Sequence, residues 1–152
     1  MKEKLGFKNF TRNEKIFFIG LQVWIFLQLS RVVAVPLIND VNAGAESPAW
    51  LYPAYLDLVA AFFGIPLMIA LVKKRGLFTW TFAIMYLAIS IVDHCGNFVT
   101  TATVGPPSIV GEGMNPVLAP AIQTVFDLLF VVLLMMPKYR QLFFKLSGES
   151  HN

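Results

Sequence analysis

The chain has 152 residues, of which 57% are hydrophobic and only 14% are charged. A soluble domain carries about 25% charged residues, so this composition excludes an ordinary soluble enzyme or binding domain and indicates an integral membrane protein. The formal net charge is +3, but the basic residues lie at the ends of long apolar segments. This placement argues against nucleic-acid binding and for weak attraction to anionic lipid head groups.

Four apolar segments are long enough to cross a lipid bilayer, for which a helix needs about 20 residues. They cover about residues 16–38, 50–72, 77–99 and 116–136. The connection between the second and third segments is too short for anything other than an antiparallel hairpin. We therefore predict an all-α fold, an antiparallel bundle of four transmembrane helices that forms one integral membrane domain over residues 1–152.

The basic residues predict how this bundle is oriented. All but one of the 12 lysines and arginines precede the first segment, separate the second from the third, or follow the fourth. The first and third connections contain no lysine or arginine, and their charged residues are the acids Asp40, Glu46 and Glu112. The positive-inside rule then places both termini in the cytoplasm. Both the bacterial inner membrane and the endoplasmic reticulum membrane fit this pattern.

Each apolar segment contains one charged residue, and these are Arg31, Asp57, Asp93 and Asp127. A charge in hydrocarbon costs a few kcal/mol, so we expect a functional or structural reason for each. From a rise of 1.5 Å per residue, Arg31 and Asp57 lie about 22 Å from the inner face, Asp93 about 24 Å and Asp127 about 14 Å. In a hydrocarbon core about 30 Å thick, three of the four therefore share one layer in the outer third.

Helical spacing adds polar neighbours to this layer. Asn97 follows Asp93 by four residues and Gln123 precedes Asp127 by four, so each pair shares a helix face. His94 is a candidate proton donor or acceptor beside Asp93. One arginine cannot neutralise three aspartates, so we predict a chamber that takes up protons, a cation, a cationic ligand or water. An internal salt bridge that only holds the helices together is the alternative interpretation.

Metal and cofactor chemistry is poorly supported by the sequence. Zinc needs three or four clustered ligands, whereas Asp93 and His94 are adjacent and point about 100° apart on a helix. His94 is the only histidine within an apolar segment, so a haem with two histidine ligands from this chain is excluded. We predict neither a metal ion nor a cofactor.

Short motifs that contain a proline lie at the ends of the segments. They are Pro36 followed four residues later by Asp40, Pro48-Ala49-Trp50, Leu118-Ala119-Pro120 and Pro137-Lys138-Tyr139. Asp57 follows the second of these by one to two helical turns. Over residues 16–144 this layout resembles the EXPERA superfamily, which includes emopamil-binding sterol isomerases and sigma-2-receptor-like proteins. Glutamate commonly stands in that family where this chain has Asp57.

The resemblance implies a pocket between the helices that opens sideways to lipid and takes a sterol-like or hydrophobic amine ligand. It implies that Asp40 and Asp57 form the acidic pair of this pocket. In the isomerase branch, acids and a histidine move a proton to shift a double bond, and His94 is the candidate histidine. The catalytic candidates are therefore Asp57, Asp93 and His94. The ligand-binding candidates are Arg31, Asp40, Asp57, Asn97, Gln123 and Asp127.

Three functions stay open on the sequence alone. The first is a bundle that binds lipid or a hydrophobic small molecule, with or without isomerase activity. The second is a non-catalytic accessory subunit of a larger membrane complex, which the small extramembrane mass and 14 phenylalanines would suit. The third is a small proton-coupled transporter that uses Asp93 and Asp127. A homodimer is compatible with the first and the third.

Overall fold

The computed structural model describes residues 10–73, 76–109 and 115–144. Within these ranges the chain forms α-helices and two short 3-10 helices, with no strand. The α-helices are α1 (Arg12–Gln28), α2 (Ala34–Asn42), α3 (Leu51–Lys73), α4 (Leu77–Val104), α5 (Leu118–Met135) and α6 (Pro137–Phe144). The 3-10 helices are Leu29–Val33, which joins α1 to α2, and Pro48–Trp50, which leads into α3. Glu112 lies outside the described residues.

Four helical stretches are long and apolar enough to cross a membrane, as expected of a multi-pass integral membrane protein. They are Arg12–Asn42, Pro48–Lys73, Leu77–Val104 and Leu118–Met135. The four predicted segments are thus confirmed as helices, although the first three extend beyond the apolar residues that revealed them. The third, for example, continues five residues past residue 99, because the threonines that follow are compatible with helical backbone geometry.

The first span begins at a capping box and changes its winding near the middle. Thr11 Oγ1 accepts a hydrogen bond from the Glu14 amide, and Glu14 Oε2 accepts one from the Thr11 amide at 2.7 Å. Together these satisfy two amides that the first helical turn leaves unpaired. The 3-10 stretch Leu29–Val33 then tightens the helix to about three residues per turn. Because this turn separates Gln28 from Arg31, both side chains lie on the same edge of the span.

Two apolar clusters enclose the middle of the bundle. We call the end that holds residues 43–47 and 105–109 the distal end, and the opposite end the basal end. The larger cluster fills the basal half, where α6 folds back so that the Tyr139 and Phe17 ring centroids lie 4.5 Å apart. The smaller cluster lies at the distal end and joins α2 to the start of α3 through Leu37 and Trp50. Arg31, Asp57, Asp93 and Asp127 lie between these clusters.

Gly64 of α3 allows three spans to approach closely. A Cβ atom at this position would lie 3.0 Å from Leu29 Cδ2 of the first span and 3.3 Å from the Tyr86 hydroxyl oxygen of α4. Small residues permit this kind of contact between membrane helices, where close packing rather than water exclusion drives association. Gly96 of α4 differs, because a Cβ atom there would meet nothing within 4 Å.

The contrast between these two glycines gives a matched test of packing. We expect Gly64→Val to lower the free energy of unfolding by about 1–3 kcal/mol, the usual cost of overpacking a tight contact. Gly96→Val makes the same change in helix propensity at an open position, so its effect should be much smaller. Thermal unfolding of both variants in detergent measures the difference, and equal melting temperatures would contradict the close approach at Gly64.

Candidate functional site

Arg31 is the centre of a buried polar network that joins the first span to α4. Its side chain is 5% exposed. Nε donates a hydrogen bond to Gln28 Oε1 at 2.7 Å, and Nη1 donates one to Asp93 Oδ2 at 2.7 Å. Nη2 donates to Ser90 Oγ at 2.5 Å and lies 2.7 Å from His94 Nε2. A buried guanidinium is tolerated only when its donors are satisfied in this way.

Neighbouring residues of α4 therefore meet the same guanidinium. The sequence indicated that Asp93 and His94 point about 100° apart, which argued against a shared ion. The guanidinium of Arg31 is a planar fork with five N–H groups, and its two terminal nitrogens reach the two side chains separately. Ser90 belongs to the same helix face as His94, one turn away, and completes the α4 side of the network.

Asp57 of α3 stands at the edge of this network. Its Oδ1 lies 3.6 Å from Arg31 Nε, too far for a hydrogen bond, and that nitrogen already donates to Gln28. Asp57 also interacts with the side chains of Asp93 and Asn97. Its side chain is 22% exposed, whereas that of Asp93 is fully buried. Asp57 is thus the acid of the network with free capacity to accept a hydrogen bond from outside it.

Asp127 connects α5 to the network from the basal side. Its Oδ1 accepts a hydrogen bond from Trp24 Nε1 at 2.6 Å, and its Oδ2 lies 3.3 Å from His94 Nε2. The residue is fully buried. The sequence placed Asp127 about 8 Å deeper than Arg31, and His94 bridges that difference by touching both side chains.

A cavity of about 360 Å³ opens on the distal side of the network, between the first span, α3, α4 and α5. This volume falls within the range of small-molecule sites, roughly 300–1,000 Å³. The polar lining residues are Ser30, Arg31, Asp57, His94, Asn97, Thr101 and Gln123. The apolar ones are Val33, Ala34, Leu37, Trp50, Pro107, Ile109, Pro116, Ala119 and Pro120. The cavity thus combines polar groups with largely apolar walls.

The structure brings most of the predicted residues to this one place. Those that line the cavity are Arg31, Asp57, His94, Asn97 and Gln123. Asp93 and Asp127 lie behind them and touch Arg31 and His94. Asp40 does not belong to the lining among the described residues. It lies in the last turns of α2, where its main-chain carbonyl accepts hydrogen bonds from the amides of Ala45 and Glu46.

Sequence reasoning did not single out Trp24, Gln28 or Ser90 as members of the site. The spacing of Trp24, Gln28 and Arg31 is i, i+4 and i+7, which places them on one face of a helix. That periodicity would have found the two partners on the first span. Ser90 carried a weaker signal, its position one turn before His94.

A hydrogen bond between the two distal connections lies beside the cavity. Glu46 Oε1 accepts from the Ser108 amide at 2.7 Å, and Ser108 lies between the cavity-lining residues Pro107 and Ile109. Hydrogen bonds from Ser108, mainly from its side chain and secondly from its main chain, hold the pKa of the exposed Glu46 carboxyl below its usual value. The carboxylate therefore fixes this part of the cavity wall to the first connection.

Comparison of the chain with protein-family models, with curated proteins and with solved structures finds no match. The resemblance to the EXPERA superfamily therefore stays a prediction.

Removal of the Arg31 charge tests the network. We expect Arg31→Leu to destabilise the protein by about 3–5 kcal/mol, because it leaves Asp93 buried without its counter-charge. Arg12→Leu, at an exposed arginine in the first turn of α1, should have little effect. Thermal unfolding in detergent gives both values. A double variant, Arg31→Leu with Asp93→Asn, should recover part of the loss, and strict additivity would contradict their coupling.

The Glu46 contact gives a pH dependence of known sign. Because the pKa of Glu46 is lowered in the folded protein, the contact is formed at neutral pH and is lost as the carboxyl protonates in acid, below the ordinary pKa of a glutamate. We expect slow amide hydrogen exchange at Ser108 at pH 7 and faster exchange in Glu46→Ala. Asn42→Ala, at an exposed residue of the same end, is the control. Unchanged protection in Glu46→Ala would contradict the contact.

Proposed function

We propose that this protein binds a small hydrophobic molecule or a membrane lipid, by its polar head, in the cavity between its four spans. The observation that carries the proposal is the position of Asp57. It presents a carboxylate with unused acceptor capacity to a cavity whose other walls are mostly apolar. Sites of this kind, apolar with a few placed polar groups, are typical of small-molecule binding.

The chemistry of the lining indicates the kind of head group. A carboxylate accepts hydrogen bonds, so Asp57 favours a hydroxyl or an ammonium group. The amides of Asn97 and Gln123 and the Thr101 hydroxyl face the same cavity from α4 and α5 and supply further donors and acceptors. The apolar walls favour a sterol-like, acyl or other hydrophobic body. This range of ligands includes the sterol-like molecules and hydrophobic amines that the EXPERA resemblance implies.

An isomerase reaction on such a ligand is a narrower form of the proposal. It needs one group to give a proton and another to take one, both within reach of the same bound molecule. Asp57 and His94 both line the cavity, which supports these two in the acid and base roles. Asp93 is the third catalytic candidate. It would act through Arg31, because its carboxylate binds that guanidinium and does not line the cavity.

Proton-coupled transport is a second candidate, and one observation favours it. Polar side chains follow one another from Asp57 at the cavity through Arg31 and His94 to the buried Asp127, with closest separations of 3.6, 2.7 and 3.3 Å. Chains of ionisable residues within membrane segments often mark proton pathways. Flux of a bound hydrophobic cation into liposomes that depends on a pH difference would support this function, and flux that ignores the difference would count against it.

The orientation of the protein is also a proposal, supported by the distribution of basic residues. We expect both termini and the connection after Lys73 to face the cytoplasm. Single cysteines introduced by Ala45→Cys and Lys73→Cys in a Cys95→Ala background test it. A membrane-impermeant maleimide should label the first variant in intact cells and the second only after permeabilisation. The reverse pattern would overturn the orientation.

Ligand binding is tested by blocking the cavity in two ways. Native mass spectrometry of wild-type protein in mild detergent should show a copurifying hydrophobic species. Asp57→Asn removes the carboxylate, and Ala119→Trp fills the cavity; each should reduce the bound fraction about tenfold or more. Ala121→Trp adds the same side chain on the exposed face of α5 and should keep the ligand. Equal retention in all variants, or no bound species in wild type, would overturn the proposal.

A further inference from the structure

His94 Nε2 is shared by more groups than one nitrogen can serve. It lies 2.7 Å from Arg31 Nη2, 3.3 Å from Asp127 Oδ2 and 3.4 Å from Ser90 Oγ. A guanidinium carries only donors, so Nε2 must accept the hydrogen bond from Arg31. An imidazole nitrogen that accepts a hydrogen bond has no proton of its own to offer to Asp127.

Asp127 has the complementary deficiency. Its Oδ1 is satisfied by Trp24, but the buried Oδ2 receives no hydrogen bond from the residues that the structure describes. Two acceptor atoms thus face each other 3.3 Å apart. The contact becomes attractive when a proton lies between the two atoms. Because Nε2 has one lone pair, it then no longer accepts from Arg31, whose Nη2 keeps its hydrogen bond to Ser90 Oγ. The His94–Asp127 pair is therefore built to hold one proton.

The groups in and around the pair include more acids than bases. Arg31 faces it from the first span, Asp57 from α3, and Tyr86 and Asp93 from α4. The network thus contains one guanidinium and three carboxyl groups in a region of low dielectric. The cost of burying uncompensated charge is high, so the network gains from any additional positive charge. A proton between His94 and Asp127 supplies one such charge, and a cation beside Asp57 supplies another.

We propose that the His94–Asp127 pair is a proton-binding site linked to the cavity, and that it releases its proton when an ammonium head group binds beside Asp57. This inference rests on the proposed function, since it regulates the same cavity. His94 belongs to both sites, because it lines the cavity and touches Asp127. One ammonium enters and one proton leaves for the solvent, so the total charge of the network stays constant.

The direction of the coupling follows from linkage. The ammonium and the proton offset the same excess of acid, so each weakens the binding of the other, by the same factor in both directions. Affinity for an amine should therefore rise with pH, by at most tenfold per pH unit for one proton. An alkylamine stays charged up to about pH 9, so this change belongs to the protein. A neutral alcohol of the same length should show no such dependence.

The test uses dodecylamine and 1-dodecanol as probes on the full-length protein in phosphatidylcholine nanodiscs. Calorimetric titration at pH 7 in phosphate and in Tris buffer gives the number of protons released, after subtraction of empty nanodiscs. We expect up to one proton per bound dodecylamine and none per bound 1-dodecanol.

Two variants assign the proton to its site. Asp127→Asn keeps an acceptor for Trp24 and offers a permanent donor to His94, so it should bind dodecylamine without proton release. Val92→Ala, at an exposed residue of the same helix, leaves the network in place and should release the proton as wild type does. If Asp127→Asn does not fold, the buffer comparison on the wild-type protein still tests the coupling, because binding of dodecylamine without proton release would overturn it.

The outcomes separate this inference from the proposed function. Binding of dodecylamine to the wild-type protein without proton release, or equal release from Asp127→Asn, would overturn the coupling and leave the binding function standing. Failure of both probes to bind beyond empty nanodiscs would overturn both. Release that is confined to the amine and lost in Asp127→Asn would support both.

Discussion

The buried guanidinium of Arg31 determines how the first span packs against α4. A membrane interior offers no water to satisfy its donors, so protein groups must surround it on several sides. Gln28 supplies an acceptor from the same span as Arg31, and Ser90, Asp93 and His94 supply acceptors from α4. These contacts require a particular rotation and depth of both helices, and so fix their register.

The cavity follows from the way this constraint is met. Arg31 directs its donors toward α4 and its own span, which leaves Asp57 of α3 only loosely paired, at 3.6 Å. Gly64 brings α3 close to the first span and α4 on the basal side. On the distal side the spans diverge and enclose the cavity of about 360 Å³. A partly satisfied carboxylate thus lies at the point where the packed bundle gives way to a cavity.

His94 connects the cavity to the buried Asp127, so that the two belong to one system. It lines the cavity and contacts both Arg31 and Asp127. Because the network contains one guanidinium and three carboxyl groups, the charge of a ligand in the cavity would act on any proton held behind it. Ligand binding, isomerase chemistry and proton-coupled transport would all use this one property. They differ in whether the proton moves to the ligand, to the solvent or across the membrane.

Length and hydropathy are local properties, so they were enough to predict the four spans and the one charge inside each apolar segment. The shared layer of Arg31, Asp57 and Asp93 also followed, because helical rise converts position into depth. The partners of these charges depend on how the helices pack: His94 joins Asp127 to that layer, and Asp40 lies outside the cavity lining among the described residues. Depth is set along one helix, whereas contact depends on how neighbouring helices are rotated and how closely they pack, which no single segment encodes.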